Sequence, residues 1–576
     1  MSDTQINGTT GEDLAIAARR RRLVVWIVVS ILAVGGGFAS IAYKPWRLRS
    51  LHRASRTAIE KGDYRTAAFM ARRALQIDPD CVSACVTMAE AGEHDHVPDA
   101  VFWRKQVLRL VGESTDTLVG LASTALSFGK ISTARSALLR VPEKDHGRED
   151  FLVLSGAIAL EERKYVESAR FYEAAIRLNP GKAEYRFALG RAKCASDDYL
   201  TREEGRRLLL ELGTHKTLGA AAFRAVIDNC EAQQEYQAAL RHAQQLVALP
   251  THKFLDEVLR LRLMRKTEDK NFATELADAE HRARDNLRHV GILLLWMSMD
   301  GLAREGLDWV LKRESKLGRS PEILPAIANC YLTLTDWSAL LAITQNGNWN
   351  AVEYVRHAYR ARAYKERSEI SLARNEWDLA TNAATRQIEA LTWLAQMASA
   401  WKWGDKMEKC LWALLNEAPG SQWAIEALKK SYLEQNHTAG LRQIALHVVK
   451  TDPADENAQN DLALVSLLLN METDRAMKIA RDLYTKHPGN PAFNSTYAFA
   501  LHSSGHTEDG LKVLENLSPQ SLEVPTIAAY YGIMLAAYNS PDKASHFLDI
   551  GRQGILLREE KELIANAGQL ILESKK

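Results

Sequence analysis

Glycine and proline are scarce in this 576-residue chain, 32 and 15 in all, so turn-rich β architectures have little to be built from. No long alternation of apolar and polar residues marks a strand. What remains is rich in Ala and Leu, which fits an all-α chain. Cysteine is rarer still: Cys81, Cys85, Cys194, Cys230, Cys330 and Cys410. None stands in a CxxC or Cys/His ligand spacing, which argues against a structural zinc site. Cys81 and Cys85 lie four apart on one helical face, a poor geometry for a disulfide, and most of the six read as small buried apolar residues. Charge of one sign is also missing. With 74 basic and 72 acidic residues the net charge is +2, so no electrostatic case for nucleic acid exists. Phosphate loops, nucleophile elbows, HExxH and GxGxxG motifs are absent. The densest ligand-like group is Glu93, Asp95, His94 and His96, in the polar stretch EHDHVPD, where a solvated hairpin turn is expected. No catalytic, cofactor or metal site is therefore expected, and the chain is not expected to be an enzyme.

One long apolar run is present. Leu23 to Tyr43 carries no charge and is long enough, at about 1.5 Å per residue, to cross a hydrocarbon core of about 30 Å. Tyr43 and Trp46 end it, as interfacial aromatics do. It exceeds the apolar core of a cleaved signal peptide, so an uncleaved transmembrane helix over 23–43 is expected, with bilayer lipid as its partner. Residues 1–22 read as a flexible tail ending in Arg19–Arg22, and 44–50 as a short basic connector. Arg19, Arg20, Arg21 and Arg22 face Lys44, Arg47, Arg49, Arg53 and Arg56 across the run. The four arginines abut the membrane on a short tail, and a long downstream domain translocates largely regardless of charge. The N-terminus is therefore placed in the cytoplasm and the rest of the chain beyond the membrane. Gly35–Gly37 put small residues four apart, a face through which two copies could pack as a homo-oligomer.

The rest of the chain is organised around YVESARFYEAAIRLNP, residues 165–180. Ser168, Ala169, Tyr172, Ala175 and Ile176 share one helical face, and Asn179-Pro180 stops the helix. The preceding helix carries Leu154, Gly156, Ala157 and Leu160. Stepping from Ser168 by about 34 residues lands backwards on Ala134, Ala100 and Ala67. Forwards it lands on Gly205, Ala239, Ala273, Gly306, Leu340, Ala373, Met407, Leu441, Ala476, Gly510 and Ala544. Twelve of these fifteen are Ala, Gly or Ser, where two backbones would have to approach closely. Prolines follow twelve residues on at Pro79, Pro180, Pro419, Pro453 and Pro488. This pattern resembles the tetratricopeptide repeat (TPR), with Gly156, Ser168, Tyr172 or Phe171, Ala175 and Pro180 at its signature positions.

The resemblance implies a right-handed α-solenoid of about fifteen TPR-like helical hairpins behind the transmembrane helix. Repeats are expected over 51–254 and 406–554, with divergent TPR-like hairpins over 255–405. An insertion, ASDDYLTREEG, delays Gly205 by about three residues. The tail over 555–576 reads as an amphipathic helix capping the stack. Trp393, Trp401, Trp403, Trp412 and Trp423 crowd one region. They would be either an exposed hot spot or, as preferred here, filling between hairpins.

In the TPR family, ligand contacts come mostly from first-helix positions lining a concave groove. The resemblance puts Arg191, Arg224, Arg262, Arg265, Arg288, Arg362 and Lys365 there, with Glu389, Glu426 and Lys430. It implies a basic central groove holding an acidic or extended peptide. The fixed Lys/Asn carboxylate clamp of chaperone-binding repeats is missing from every unit. The expected function is a single-pass scaffold of a bacterial inner membrane that gathers proteins for envelope or membrane assembly. An adaptor subunit of a polysaccharide or protein export system is the alternative. An enzyme site in a strand-containing middle domain is the remote third.

Overall fold

The computed structural model describes residues 44–97, 99–313, 320–345, 349–538 and 540–574. The tail and the apolar run, residues 1–43, lie outside them. Among the described residues no strand occurs, and no helix is long and apolar enough to cross a membrane. The chain divides into two compact units, residues 1–128 with 134–146, and 129–133 with 147–576.

In the first unit residues 44–60 form one helix, so the basic stretch 44–50 is part of the first hairpin. It pairs with Tyr64–Ile77, capped by Asp63, whose carboxylate accepts from the Thr66 amide at 3.0 Å. Val82–His94 and Asp99–Val111 follow as a second pair. Their crossing leaves no room: a Cβ on Gly92 would lie 3.0 Å from that of Ala100.

The second unit is a run of such hairpins. Glu149–Glu161 and Tyr165–Leu178 show how one closes. Ser168 is fully buried, and its hydroxyl donates to the Gly156 carbonyl at 2.8 Å across the crossing. Tyr172, not Phe171, fills the aromatic position, its ring 3.0 Å from where a Gly156 Cβ would be. Each hairpin then packs on the next, and first helices also touch first helices, as Ala183–Cys194 does Gly219–Ala232.

The turns carry the period most clearly. The first helix ends at a residue in the left-handed region: Gly62, His96, Gly129, Arg163, Gln234, Glu268, Gly301, Thr335, Ser368, Lys402, Asn436, Asn470 and Gly505. Successive positions lie 33 to 35 apart, save from Arg163 to Gln234, which is two periods plus about three residues. That extra length falls in the unit with the insertion. After these residues the next amide reaches back five positions, Lys164 to Ala159 at 2.8 Å and Trp403 to Ala398 at 2.8 Å, closing the orphaned carbonyls of the helix end. The ladder runs unbroken through 255–405, so the divergent middle keeps the hairpin period and holds no strand among its described residues.

Of the fifteen positions reached from Ser168, Ala273 alone is exposed. There Phe254–Lys266 and Phe272–Ala283 are joined by five residues, where Glu149–Glu161 and Tyr165–Leu178 are joined by three. The second helix therefore starts late and buries Ala279, Glu280 and Ala283 instead. One hairpin further on, Ala303–Leu307 runs into a π-helical turn, Asp308–Arg313, which also blurs the period.

The last helix, Arg558–Ser574, packs on Pro525–Ala537 and Pro541–Gly551 with Ile564, Ala567 and Ile571 buried. Glu560 accepts from the Leu557 amide at 2.8 Å and from the Tyr530 hydroxyl at 2.5 Å. Thr438 donates to Glu559 at 2.5 Å, tying the end of the chain to a turn more than a hundred residues earlier. Elsewhere in this unit, Ser132 and Thr133 donate to Asp452 at 3.0 and 2.6 Å.

Candidate partner-binding face

All seven predicted basic residues stand on first helices, but their surroundings differ. On Gly219–Ala232, Arg224 is held by both oxygens of Asp256, each at 2.8 Å. Asp256 is buried, which opposes its ionisation, yet the Arg224 fork and the Lys253 amide outweigh this and hold its carboxyl below the ordinary range. On Phe254–Lys266, Arg262 pairs with Glu231 at 2.5 Å and Arg265 with Asp300 at 3.0 Å. Each of these acids belongs to a neighbouring hairpin. Lys182–Glu149, Arg206–Glu235 and Arg442–Glu472 repeat the arrangement. Arg224, Arg262 and Arg265 thus work as rungs between repeats, with their charge met inside the chain. Arg191 and Arg288 are exposed.

Arg362 and Lys365, on Glu353–Glu366, are the two that the fold brings to a common feature. Lys365 Nζ lies 4.5 Å from the ring centre of Trp403, and the Arg362 guanidinium 5.7 and 5.8 Å from Trp403 and Trp401. Arg362 also pairs with Glu366 at 3.1 Å. Beneath them Trp377, Trp401 and Trp403 pack edge to face with centres 5.1 to 6.3 Å apart. Trp377 and Trp403 are buried, so this group fills the gap between hairpins, as preferred from the sequence. Trp412 is half-buried and donates to the Tyr432 hydroxyl at 2.9 Å.

Trp393 and Trp423 behave differently. They are 52% and 43% exposed, on the successive first helices Ile388–Ala400 and Gln422–Glu434. Glu389 shares the Trp393 face four residues back, and Glu426 and Lys430 share the Trp423 face three and seven residues on; all three are exposed. The sequence singled out every one of these but gave no weight to Asp461 on the next first helix, Glu456–Leu468. Only the stacking of hairpins brings that residue into register.

Among the described residues no catalytic set is assembled. Cys194, Cys330 and Cys410 have their thiols pushed up to about 12 by burial, far from thiolate chemistry. A cleft of about 320 Å³ between Ile370–Ala384 and Gly404–Glu417 is lined by Asp378, Thr381, Lys406, Lys409, Cys410 and Glu417, among others, and there burial outweighs Lys406 and keeps the Cys410 thiol pushed up. In the EHDHVPD turn, Glu93 is engaged by Arg104 at 2.9 Å and by Thr124, while the His94 ring stacks on Tyr64 at 3.8 Å.

No family model matches the sequence, and no curated protein matches it either. Among solved structures, the crystal structure of MamA protein matches at 18% identity over 33% of this chain and 95% of that one, with a TM-score of 0.26. The APC/C hetero-tetramer Cut9-Hcn1 matches at 12% identity over 80% and 98%, with a TM-score of 0.26. Pseudomonas aeruginosa pilF matches at 14% over 43% and 96%, with a TM-score of 0.25. At such scores these structures say nothing of what this chain binds, and the repeat rests on its own geometry.

Proposed function

We propose that this protein is a membrane-tethered helical-repeat scaffold that gathers other proteins at a membrane, in the assembly of a membrane or envelope complex. The observation that supports binding over catalysis is the open first-helix face around Trp393 and Trp423. Large aromatics left half-exposed beside charged residues form a surface suited to partner contact, and among the described residues no reactive constellation accompanies them. TPR-like hairpins, whose first helices line a binding groove, are the reading of the repeat that fits its period. The tether is residues 23–43, with the tail cytoplasmic and the repeats on the far side of a bacterial inner membrane. Lipid contact and any pairing of copies would run through that helix.

The test is carbonate extraction and protease protection of the tagged full-length chain. Retention in the membrane, with the repeats cut once only the outer barrier is breached, is expected. Release by carbonate would remove the tether. Cutting only after the inner membrane is opened would place the repeats in the cytoplasm.

A further inference from the structure

We propose that the strip running from Glu389 and Trp393 through Trp423 and Glu426 to Asp461 binds an extended segment bearing Lys or Arg side chains. The inference rests on the scaffold reading above and supplies the chemistry of the partner, which is opposite in sign to the acidic peptide that the first-helix arginines imply.

The strip's charge is the first ground. Glu389, Glu426, Glu434 and Asp461 are exposed on three successive first helices, against Lys429 and Lys430. Lys430 is taken by Glu434 at 3.9 Å and Lys429 approaches Asp461 at 3.6 Å. Glu426 receives only the neutral Gln422 side chain at 3.0 Å. Of the other cations nearby, Arg362 and Lys365 are turned to Trp401, Trp403 and Glu366 one first helix earlier, and Arg386, three residues before Glu389, is exposed. Asp461 keeps about half of its side chain open, at 51%. Burial raises its carboxyl above the ordinary range against the opposing pull of Lys429, with Asp455 and Glu426 adding to the rise.

The second ground is the aromatic faces. This chain's own cations lie over aromatic rings at several places in this unit: Lys182 on Tyr185, Lys266 on Tyr236, Arg360 on Tyr364 and Lys365 on Trp403. Trp393 and Trp423 are half-open, and among the described residues no such cation lies over either. An indole flanked by carboxylates three or four residues away favours a guanidinium or ammonium on charge and on ring quadrupole alike.

The spacing sets the length. Neighbouring helices pack about 8 to 10 Å apart, so three of them span about 20 Å between outer axes. An extended chain covers that in about six residues. Cations about three residues apart would then meet successive helices.

The experiment uses the full chain in a neutral detergent, with two fluorescein-labelled eight-residue peptides, one carrying three arginines at three-residue spacing and one with glutamate in their place. The arginine peptide is expected to bind, and to weaken about tenfold in the Trp393→Ala/Trp423→Ala protein and again in Glu389→Gln/Glu426→Gln. These residues are exposed, and unchanged melting confirms that the variants fold. Equal or tighter binding of the glutamate peptide, no binding of the arginine peptide, or binding that survives both double variants would overturn the proposal. A photo-crosslinker at Trp393 separates this failure from that of the scaffold. If it captures a defined protein while the arginine peptide does not bind, the chemistry is wrong and the scaffold stands; if it captures none, the scaffold fails.

Discussion

Gly205 and Gly291 both sit inside helices of the repeat, and the same substitution is expected to act on them in opposite directions. In Leu287–Met299, a Cβ added at Gly291 meets nothing within 4 Å. Gly291→Ala therefore collects the ordinary helix-propensity gain of about 1 kcal/mol. In Tyr199–Glu211, a Cβ at Gly205 would lie 2.6 Å from the Cys194 amide nitrogen and 2.8 Å from the Gly190 carbonyl oxygen. Both atoms are backbone, so neither can turn aside. Relief requires the two helices to part by several tenths of an ångström. Overpacking of this kind costs about 1 to 3 kcal/mol, and backbone on both sides argues for the upper end. Less the propensity gain, Gly205→Ala should lose about 2 kcal/mol. The assay is hydrogen exchange on the full chain, because a repeat array need not melt in one step. Amides of Ala183–Cys194 should lose protection in Gly205→Ala and keep it in Gly291→Ala. Equal shifts of one sign in the two variants would refute the close crossing as the organising contact of the hairpin.

Three further outcomes follow from the same packing. Ser168→Ala removes the buried bond to the Gly156 carbonyl and should cost about 1 kcal/mol, read as earlier exchange in Tyr165–Leu178. Thr335→Gly relieves a β-branched residue held at φ 55° and should stabilise its hairpin by about 1 kcal/mol, seen as slower opening of Leu324–Thr333. Asp256→Asn strands the half-buried Arg224 and should cost about 2 kcal/mol at neutral pH by denaturant titration. Because the folded carboxyl of Asp256 titrates below its ordinary 3.8, its contribution is full above that value and vanishes as the pH falls through the folded one. The gap between Asp256→Asn and the parent protein should therefore close in acid.

The period was legible wherever the close crossing falls on a pair of small residues, as at Gly156 with Ser168 or Gly190 with Gly205. It faded where only one partner is small. Gly306 faces Leu294, whose Cδ1 would lie 2.6 Å from an added Cβ, and Leu340 packs in one cluster with Ala328. Space is conserved across the pair, not at either residue. The turn residues hid for another reason. A left-handed conformation favours Gly or Asn, but Arg163, Gln234, Glu268 and Lys402 occupy it here, carried by the helix-end bonds around them. On the site, register put Arg224, Arg262 and Arg265 on first helices without revealing their acidic partners about one repeat away. Such pairs are made by stacking, and no local pattern announces them.

On the scaffold reading, the first-helix face takes up a partner while the second-helix face does not. Photo-crosslinking amino acids placed at Trp393 and Trp423, and at Asp378 and Lys409 on the second helices, test it in intact cells with the full-length chain. One shared adduct is expected from Trp393 and Trp423 and none from Asp378 and Lys409, all four being exposed. Adducts from the second-helix pair alone, or none from either face, would contradict it.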